Sequence, residues 1–180
     1  YTLTDDDWTG EIETSLTATK NVIENLVDQF KSNQEENSIV IVSSVAGKFI
    51  AVEQPLSYHI AKAAINQMIR FYAVNFGNKG IRVNGVACGT MLKEESKNFY
   101  LENEELHNLY KSIIPLGRMG TAQDLANVII FLCSRQASFI TGQTIVVDGG
   151  ISLQWHESLA RNLTPLSNLN VSRKTQRSPK

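Results

Sequence analysis

The sequence has few of the residues that organise metal centres, disulfide frameworks or membrane spans. Its 180 residues include two cysteines and three histidines. Cys88 and Cys133 lie far apart, without C-x-x-C or His-rich spacing, so neither a zinc site nor a disulfide framework is indicated. No run approaches the roughly 18 consecutive apolar residues that span a bilayer. The acidic start YTLTDDDW lacks the positive region and apolar core of a signal peptide. We therefore expect a cytoplasmic protein that binds no metal ion and no membrane.

The chain also has little net charge, and few glycines in its N-terminal part. The formal net charge is −1 and 42% of the residues are hydrophobic, as in ordinary globular domains, so we expect no nucleic-acid partner. The length fits one domain, since domains run to roughly 100–200 residues. Gly10 is the only glycine in residues 1–42, which excludes a glycine-rich phosphate-binding turn from that segment.

What the sequence does contain is an alternation of amphipathic helices and short apolar strands. Apolar residues at helical spacing predict helices over about 5–31 and 55–76 and over AQDLANVIIFLC, with a glutamate-rich helix in the polar stretch 89–106. β-Branched runs predict buried strands at NSIVIVSS, IRVNGVA and GQTIVVDGG. This alternation is typical of a parallel α/β sheet, although three strands are few for one.

A serine, a tyrosine and a lysine stand where such a sheet binds ligands. Ser44 closes a predicted strand, and open α/β sheets bind ligands outside the carboxyl ends of their strands. Tyr58 and Lys62 are four residues apart on the next predicted helix, so their side chains share one face. A cation beside a phenol favours the phenolate, and a serine hydroxyl can hold a substrate oxygen. A solvated helix edge would show the same spacing.

Four motifs in register resemble the short-chain dehydrogenase/reductase family. SSVAG before YHIAK, then IRVNGVACG, IPLGRMGTAQDLANVIIFL and ASFITGQTIVVDGG, follow in the family's order over about 8–150. The resemblance implies that Tyr58 is the general acid or base and binds substrate together with Ser44, which holds the reacting oxygen. It implies that Lys62 holds the nicotinamide ribose. By the same motif match, Ser43 is a structural hydroxyl at the strand end.

The catalytic motif departs from the family pattern in two places. Ser44 and Tyr58 are fourteen positions apart, one more than the family's usual separation, which a loop insertion accommodates. Ser15 stands where the family often has an asparagine on the preceding helix. The resemblance therefore gives Ser15 a catalytic role in a proton relay, weakened by the loss of the amide.

The loop expected at the cofactor departs in two further places. Cys88 replaces the family's proline before Gly89, so the fixed φ of proline is lost there. Lys93 stands where a threonine is expected and would alter how the cofactor's phosphates are held. By resemblance, the cofactor contacts are Tyr58, Lys62, Gly89 and Met91, and the cofactor is NAD or NADP.

The resemblance also implies the fold class and the domain limits. It predicts a Rossmann-like, doubly wound parallel α/β sheet over 1–150, incomplete because the N-terminal βαβ units are missing. Counting from the family's length, roughly 100 residues would precede this chain. Residues 151–180 carry five basic residues against one acidic and are predicted to form an extended, partly disordered basic tail.

Two functions remain open at this point. The first is an NAD(P)-dependent oxidoreductase acting on a small carbonyl or alcohol substrate. The alternative is a catalytically silent, truncated family member that serves as an oligomerising or binding subunit. In the family, helices corresponding to about 7–32 and 56–78 pack against a twofold mate, which implies a homodimer or homotetramer. Apolar Phe71, Tyr72 and Phe76 fit either function.

Two histidines are less informative. His59 points about 100° away from its neighbour Tyr58 on a helix, which favours packing over catalysis. His107 lies in the segment 90–115, which covers the substrate in the family. Together with Glu94, Glu95, Asn98, Phe99 and Tyr100 it is predicted to shape specificity in a mobile lid.

Overall fold

The computed structural model describes residues 4–30 and 37–164, which form a three-stranded parallel sheet with helices on both faces. The sheet has the order β1 (Ser38–Ser44), β2 (Arg82–Cys88) and β5 (Thr144–Val147), and a small separate sheet pairs β3 (Met91–Leu92) with β4 (Gly120–Thr121). The helices are α1 (Asp5–Ile12), α2 (Ala18–Leu26), α3 (Leu56–Phe76), α4 (Lys97–Glu102), α5 (Glu104–Ile113), α6 (Ala122–Cys133) and α7 (His156–Leu163). The predicted Rossmann-like α/β class is confirmed.

The first helical segment begins at a capping box. Thr4 Oγ1 accepts a hydrogen bond from the Asp7 amide at 3.1 Å, and the Asp7 carboxylate accepts one from the Thr4 amide at 3.2 Å. The chain then passes through a π-turn, Glu13–Thr17, into α2 and ends this segment in a 3-10 turn at Gln29. The helix predicted over about 5–31 is therefore present up to residue 29, and Lys31 lies outside the described residues.

The strands β1 and β2 carry apolar side chains on both faces, and helices pack against both faces. Ile41 and Val83 pack under α3, whereas Val40 and Val86 pack toward Leu132 of α6. Complete burial of a valine side chain stabilises a fold by roughly 1.5–3 kcal/mol. The two-sided apolar pattern read from the sequence is thus the pattern of a covered parallel sheet.

The helix α3 lies close against β2. It begins after Pro55, which is extended with ψ 159°, and the chain leaves it through Gly80 at φ 72°. Ile65 and Ile69 are buried against the sheet. A Cβ at Gly85 would collide with Ile69 Cδ1, so a larger residue in the strand would force the buried Ile69 side chain to shift.

A buried arginine closes the carboxyl end of α6. Arg82 is 7% exposed and donates from Nη1 to the Leu132 carbonyl at 2.6 Å and from Nη2 to the Ser134 carbonyl at 3.2 Å. The Leu132 carbonyl has no partner within the helix, so the guanidinium satisfies it and opposes the negative end of the helix dipole. The Ser134 carbonyl also accepts from the Ala137 amide at 3.2 Å.

The region after residue 150 differs from the predicted extended tail. Residues 151–153 form a 3-10 turn and α7 follows, with Arg161 donating to Glu157 one turn earlier. Such an i,i+4 ion pair supports a short amphipathic helix, which the polar composition concealed. Residues 165–180 lie outside the described residues, so the predicted disorder stays a prediction. Within 4–30 and 37–164, no helix has the length and apolar content that crossing a bilayer requires.

Candidate active site

The carboxyl ends of three strands meet at one edge of the sheet. In the parallel register Ser44 pairs with Cys88, and Cys88 pairs with Val147. Ser44 is buried, and its hydroxyl accepts a hydrogen bond from the Ala46 amide at 3.1 Å, which caps the 3-10 turn Val45–Gly47. Because this bond uses an oxygen lone pair, the Ser44 hydroxyl keeps its proton for donation to another acceptor.

Tyr58 and Lys62 lie on the first two turns of α3. They are four residues apart, and Lys62 Nζ is 5.2 Å from the centroid of the Tyr58 ring. This distance is within the range of cation–π attraction. Both side chains are half-buried, so the ammonium group is held beside the phenol.

A pocket of about 230 Å³ opens at this edge of the sheet. Ser44 and Tyr58 line it together with Cys88, Gly89 and Thr90, and apolar residues between positions 45 and 51 form another part of its wall. The structure therefore brings the predicted serine and tyrosine to one cavity. Its volume suits a small organic group, since pockets for drug-sized ligands are typically about 300–1,000 Å³.

Ser43 faces away from this pocket, toward α3. Its hydroxyl donates to the Lys62 carbonyl at 3.3 Å, and its own carbonyl accepts from Cys88 Sγ at 3.3 Å. The first bond joins the end of β1 to the helix turn that carries Lys62. Ser43 thus lies where a structural hydroxyl was predicted.

Ser15 lies in the π-turn that joins α1 to α2. Its hydroxyl donates to Glu11 at 2.5 Å, and its carbonyl accepts from Thr19 Oγ1 at 2.7 Å. The π-turn packs against α3, and π-turns are frequent at functional sites. Both polar groups of Ser15 are thus bound within its own helix, and the side chain does not line the 230 Å³ pocket.

Gly89 and Met91 follow β2 and have different surroundings. Gly89 donates to the Val147 carbonyl at 3.0 Å, and a Cβ there would lie 2.6 Å from the Asp148 Cβ. Glycine is therefore required at position 89 by the close approach of the next strand. Met91 is half-buried in β3, where it lies against Gly120, and it does not line the pocket.

A tight turn after β5 was not foreseen from the sequence. Asp148 accepts hydrogen bonds from the Gly150 amide at 2.8 Å and the Ser152 amide at 3.0 Å. Burial acts to raise the pKa of Asp148, but these hydrogen bonds outweigh it and hold the pKa below its ordinary value. Asp148 therefore fixes the turn beside Gly89 as a carboxylate. The D-G-G triplet is the signal that marks such a turn.

His59 and His107 differ in their surroundings. His59 is 8% exposed, with Nδ1 2.9 Å from the Pro55 carbonyl and Nε2 accepting from the Ala51 amide at 3.0 Å. A neutral imidazole that donates from Nδ1 satisfies both contacts and holds the loop before α3. His107 is half-buried on α5, and its Nδ1 has no hydrogen-bond partner among the described residues.

The predicted lid contains two helices, α4 and α5. The rings of Tyr100 and Tyr110 meet edge to face at 5.8 Å and join these helices. Burial, and then the nearby Tyr100 and Glu53, raise the pKa of Tyr110. Glu53 also lines the pocket, so a carboxylate at the pocket contributes to the raised pKa of Tyr110 on α5.

A parallel α/β sheet with this serine, tyrosine and lysine at its carboxyl edge defines a Rossmann-like protein with a strand-end site. Residues 1–152 match the family model described as enoyl-(acyl carrier protein) reductase. The chain belongs to the short-chain dehydrogenase/reductase family.

Relatives differ in what their names say they act on. A tropinone reductase homologue of Arabidopsis thaliana is 36% identical over 148 residues, covering 82% of this chain and 54% of the relative. A 3-oxoacyl-(acyl-carrier-protein) reductase of Aquifex aeolicus is 35% identical over 145 residues, covering 81% and 56%. The structure of a 4-hydroxyisoleucine dehydrogenase mutant complexed with NADH and succinate is 30% identical, with a TM-score of 0.72 and coverage of 84% and 62%. The chain spans about half the length of the curated relatives it matches.

Proposed function

We propose that this chain carries the substrate-side half of an NAD(P)-dependent oxidoreductase that reduces ketones or oxidises secondary alcohols. The observation that carries the proposal is the pocket shared by Ser44 and Tyr58, with Lys62 Nζ 5.2 Å from the Tyr58 ring centroid. A hydroxyl donor, a phenol and a cation in this arrangement are what carbonyl reduction requires from protein side chains. Membership of the family supports the same chemistry.

Each side chain has a separate role in the proposed reaction. The Ser44 hydroxyl donates a hydrogen bond to the substrate oxygen, and the Tyr58 hydroxyl delivers a proton to that oxygen as the carbonyl becomes an alcohol. In the oxidative direction the Tyr58 phenolate accepts this proton. The Lys62 ammonium stabilises the phenolate by Coulomb attraction. A relay through Ser15 requires its hydroxyl to leave Glu11, so Ser15 is the member with the weakest support.

The residues around the pocket fit the nicotinamide end of NAD or NADP. Gly89 lines the pocket beside Tyr58, and its missing side chain leaves the loop close to β5. We assign Tyr58 and Lys62 to the ribose, and Gly89 and Met91 to the loop beside the nicotinamide. When bound, the nicotinamide supplies or accepts the hydride.

Oxidation of NADH and NADPH with a panel of ketones tests the proposal, using protein expressed from its complete coding region. Tyr58→Phe should lower turnover by at least about 100-fold, as expected on losing a general acid, and should weaken cofactor binding far less, because Lys62 still holds the ribose. Tyr72→Phe, which keeps a buried ring on α3 outside the pocket lining, is the matched control and should remain active. A Tyr58→Phe variant as active as the wild type refutes the assignment.

A second candidate, a non-catalytic oligomerising subunit, is favoured by exposed apolar side chains. Val22 and Leu26 on α2 are 58% and 45% exposed, and Phe71 on α3 is 59% exposed. The prediction for Tyr72 and Phe76 needs correction, because both are buried in the core at 4% and 9% exposure. Only Phe71 of these three aromatic residues is free to meet another subunit.

We propose that α2 and α3 form a homodimer contact through these apolar residues, which is compatible with either candidate function. Phe71→Lys should shift sedimentation toward monomer, because a charge in an apolar interface is costly. Phe99 lies on α4 and is also 59% exposed, so Phe99→Lys is the matched control. An unchanged sedimentation coefficient for Phe71→Lys contradicts this contact. Turnover without association favours the oxidoreductase, whereas association without turnover favours the non-catalytic subunit.

A further inference from the structure

A second concavity, of about 570 Å³, lies between α3 and the segment that leads into β5. Asn66 and Arg70, one turn apart on α3, form one side of it, and Thr141 and Thr144 lie on the other side. Lys48, just after the turn that Ser44 caps, also lines it. We call this concavity the Asn66 groove. It shares no lining residue with the pocket of Ser44 and Tyr58.

The Asn66 groove is positively charged. Lys48 and Arg70 line it, and the described part of the chain contributes no aspartate or glutamate to its lining. Both cations are exposed, and Arg70 donates from Nη1 to Gln67 at 3.1 Å, which leaves further N–H groups of the guanidinium for a ligand. Thr141 and Thr144 line the opposite side, where the Thr141 hydroxyl accepts from the Val83 amide at 3.0 Å. This combination favours an oxyanion, which Arg and Lys bind through charge-assisted hydrogen bonds.

The buried side-chain amide of Asn66 in the wall of the groove indicates which kind of oxyanion would fit there. Asn66 is 6% exposed, and its Oδ1 is buried without a hydrogen-bond partner among the described residues. Leaving a buried acceptor unsatisfied destabilises a fold, so such groups usually mark a missing partner. The amide packs against Gly47, where a Cβ would lie 2.6 Å from Asn66 Nδ2. A ligand that is anionic and also carries a hydroxyl donor would match both the cations and this acceptor.

We propose that the Asn66 groove binds a phosphate group, with Lys48 and Arg70 holding its charged oxygens and Asn66 Oδ1 accepting from its hydroxyl. At neutral pH inorganic phosphate retains a hydroxyl, whereas sulfate is fully deprotonated. The volume of about 570 Å³ exceeds what one phosphate group fills, so a phosphorylated small molecule also fits the groove. This inference does not rest on the proposed oxidoreductase function.

The location of the groove connects it to the candidate active site. Asn66 is one helical turn beyond Lys62, and Lys48 is four residues beyond Ser44. Ligation at Lys48 and Asn66 would therefore hold together the turn that carries Ser44 and the helix that carries Tyr58 and Lys62. A bound phosphate is positioned to act on the pocket without entering it.

Isothermal titration calorimetry with the full chain tests the proposal. Inorganic phosphate should bind measurably, and sodium sulfate at matched ionic strength should bind several-fold more weakly. Lys48→Gln and Arg70→Gln should each weaken phosphate binding about tenfold or more, because each removes a charge-assisted hydrogen bond. Lys111→Gln, an exposed lysine on α5, is the control and should bind as the wild type does.

The Asn66→Ala variant tests the amide separately. It should abolish the preference for phosphate over sulfate, and its circular dichroism spectrum shows whether the fold is kept. At neutral pH a phosphate monoester has largely lost its phosphate hydroxyl, so glycerol phosphate would donate to Asn66 from an alcohol hydroxyl. Binding of glycerol phosphate more tightly than inorganic phosphate would support a phosphorylated small molecule as the ligand. Absence of phosphate binding by the folded wild-type chain overturns the site. Equal affinity for phosphate and sulfate overturns the role of Asn66, as does an Asn66→Ala variant that retains the preference.

Discussion

Asn84 offers the sharpest test of how the sheet holds its candidate site together. This side chain, in the middle of β2, is 0% exposed. Its Nδ2 donates to the Ile140 carbonyl at 2.8 Å, and its Oδ1 accepts from the Gln143 amide at 3.1 Å. Both partners lie in the loop that leads into β5. Asn84 therefore fixes the approach of the strand that ends beside Gly89.

The cost of removing Asn84 follows from these two bonds. Asn84→Ala leaves one carbonyl and one amide without partners, and each such group costs about 1–3 kcal/mol when buried. Since Ile140 is half-buried and Gln143 is exposed, we expect a loss of about 2–3 kcal/mol in the free energy of unfolding. Urea denaturation followed by circular dichroism measures it. Asn75→Ala removes an exposed bond to the Phe71 carbonyl at 2.7 Å and should change stability by less than about 0.5 kcal/mol.

Asn84→Asp adds a dependence on pH that the alanine variant lacks. Burial raises the pKa of a carboxyl group because the charged form is poorly solvated. The protonated group can still donate to Ile140, so the variant should be most stable below pH about 4. Its stability should then fall as pH rises through the ordinary value toward the raised one. A loss for Asn84→Ala no larger than that for Asn75→Ala, or a flat pH profile for Asn84→Asp, refutes the reasoning.

Three further predictions concern stability and the pocket. Burial, and then the hydrogen bond to Glu24, raise the pKa of Tyr72 from 10.0 to about 12, so stability should be full below pH 10 and fall between 10 and 12. Tyr72→Phe should remove that loss in a base titration. Hydrogen bonds from Arg118 hold the pKa of Asp124 well below its ordinary value, so its contribution is complete above pH about 4 and is lost as pH falls further. Asp124→Asn should cost about 1 kcal/mol at pH 7 and less in acid, by urea denaturation. Gly89→Ala should destabilise by about 1–3 kcal/mol in thermal unfolding, because its Cβ overlaps the chain after β5, and unchanged stability would contradict this overlap.

The layered sheet could be predicted because its signals are periodic. The runs at β1, β2 and β5 are apolar on both faces, and α3 and α6 carry apolar stripes over several turns. The placement of Ser44 and Tyr58 at one pocket followed from the same logic, since strand ends and the next helix start meet at one edge. Parallel register then brings Cys88 beside Ser44.

What the sequence did not reveal depends on contacts between distant or very short segments. The β3–β4 pair has two residues per strand, too few to show any period. The π-turn at 13–17 has a sequence that reads as ordinary helix. Asn84 bonds to residues more than fifty positions away, which no local pattern encodes. The same holds for Tyr72, whose position under α2 depends on Glu24.

Successive side chains of a β-strand point to opposite faces of the sheet, so the two adjacent serines of β1 have different surroundings. Ser43 is directed under α3 onto the Lys62 carbonyl, whereas Ser44 faces the pocket. Sliding β1 by a single residue against β2 would exchange them, placing the Ser44 hydroxyl under α3 and turning Ile41 outward. The valine and isoleucine pattern of one short strand thus decides which of two chemically identical neighbours lines the pocket. A mutation that loosened this packing would move the Ser44 hydroxyl out of the pocket without changing any of the residues that line it.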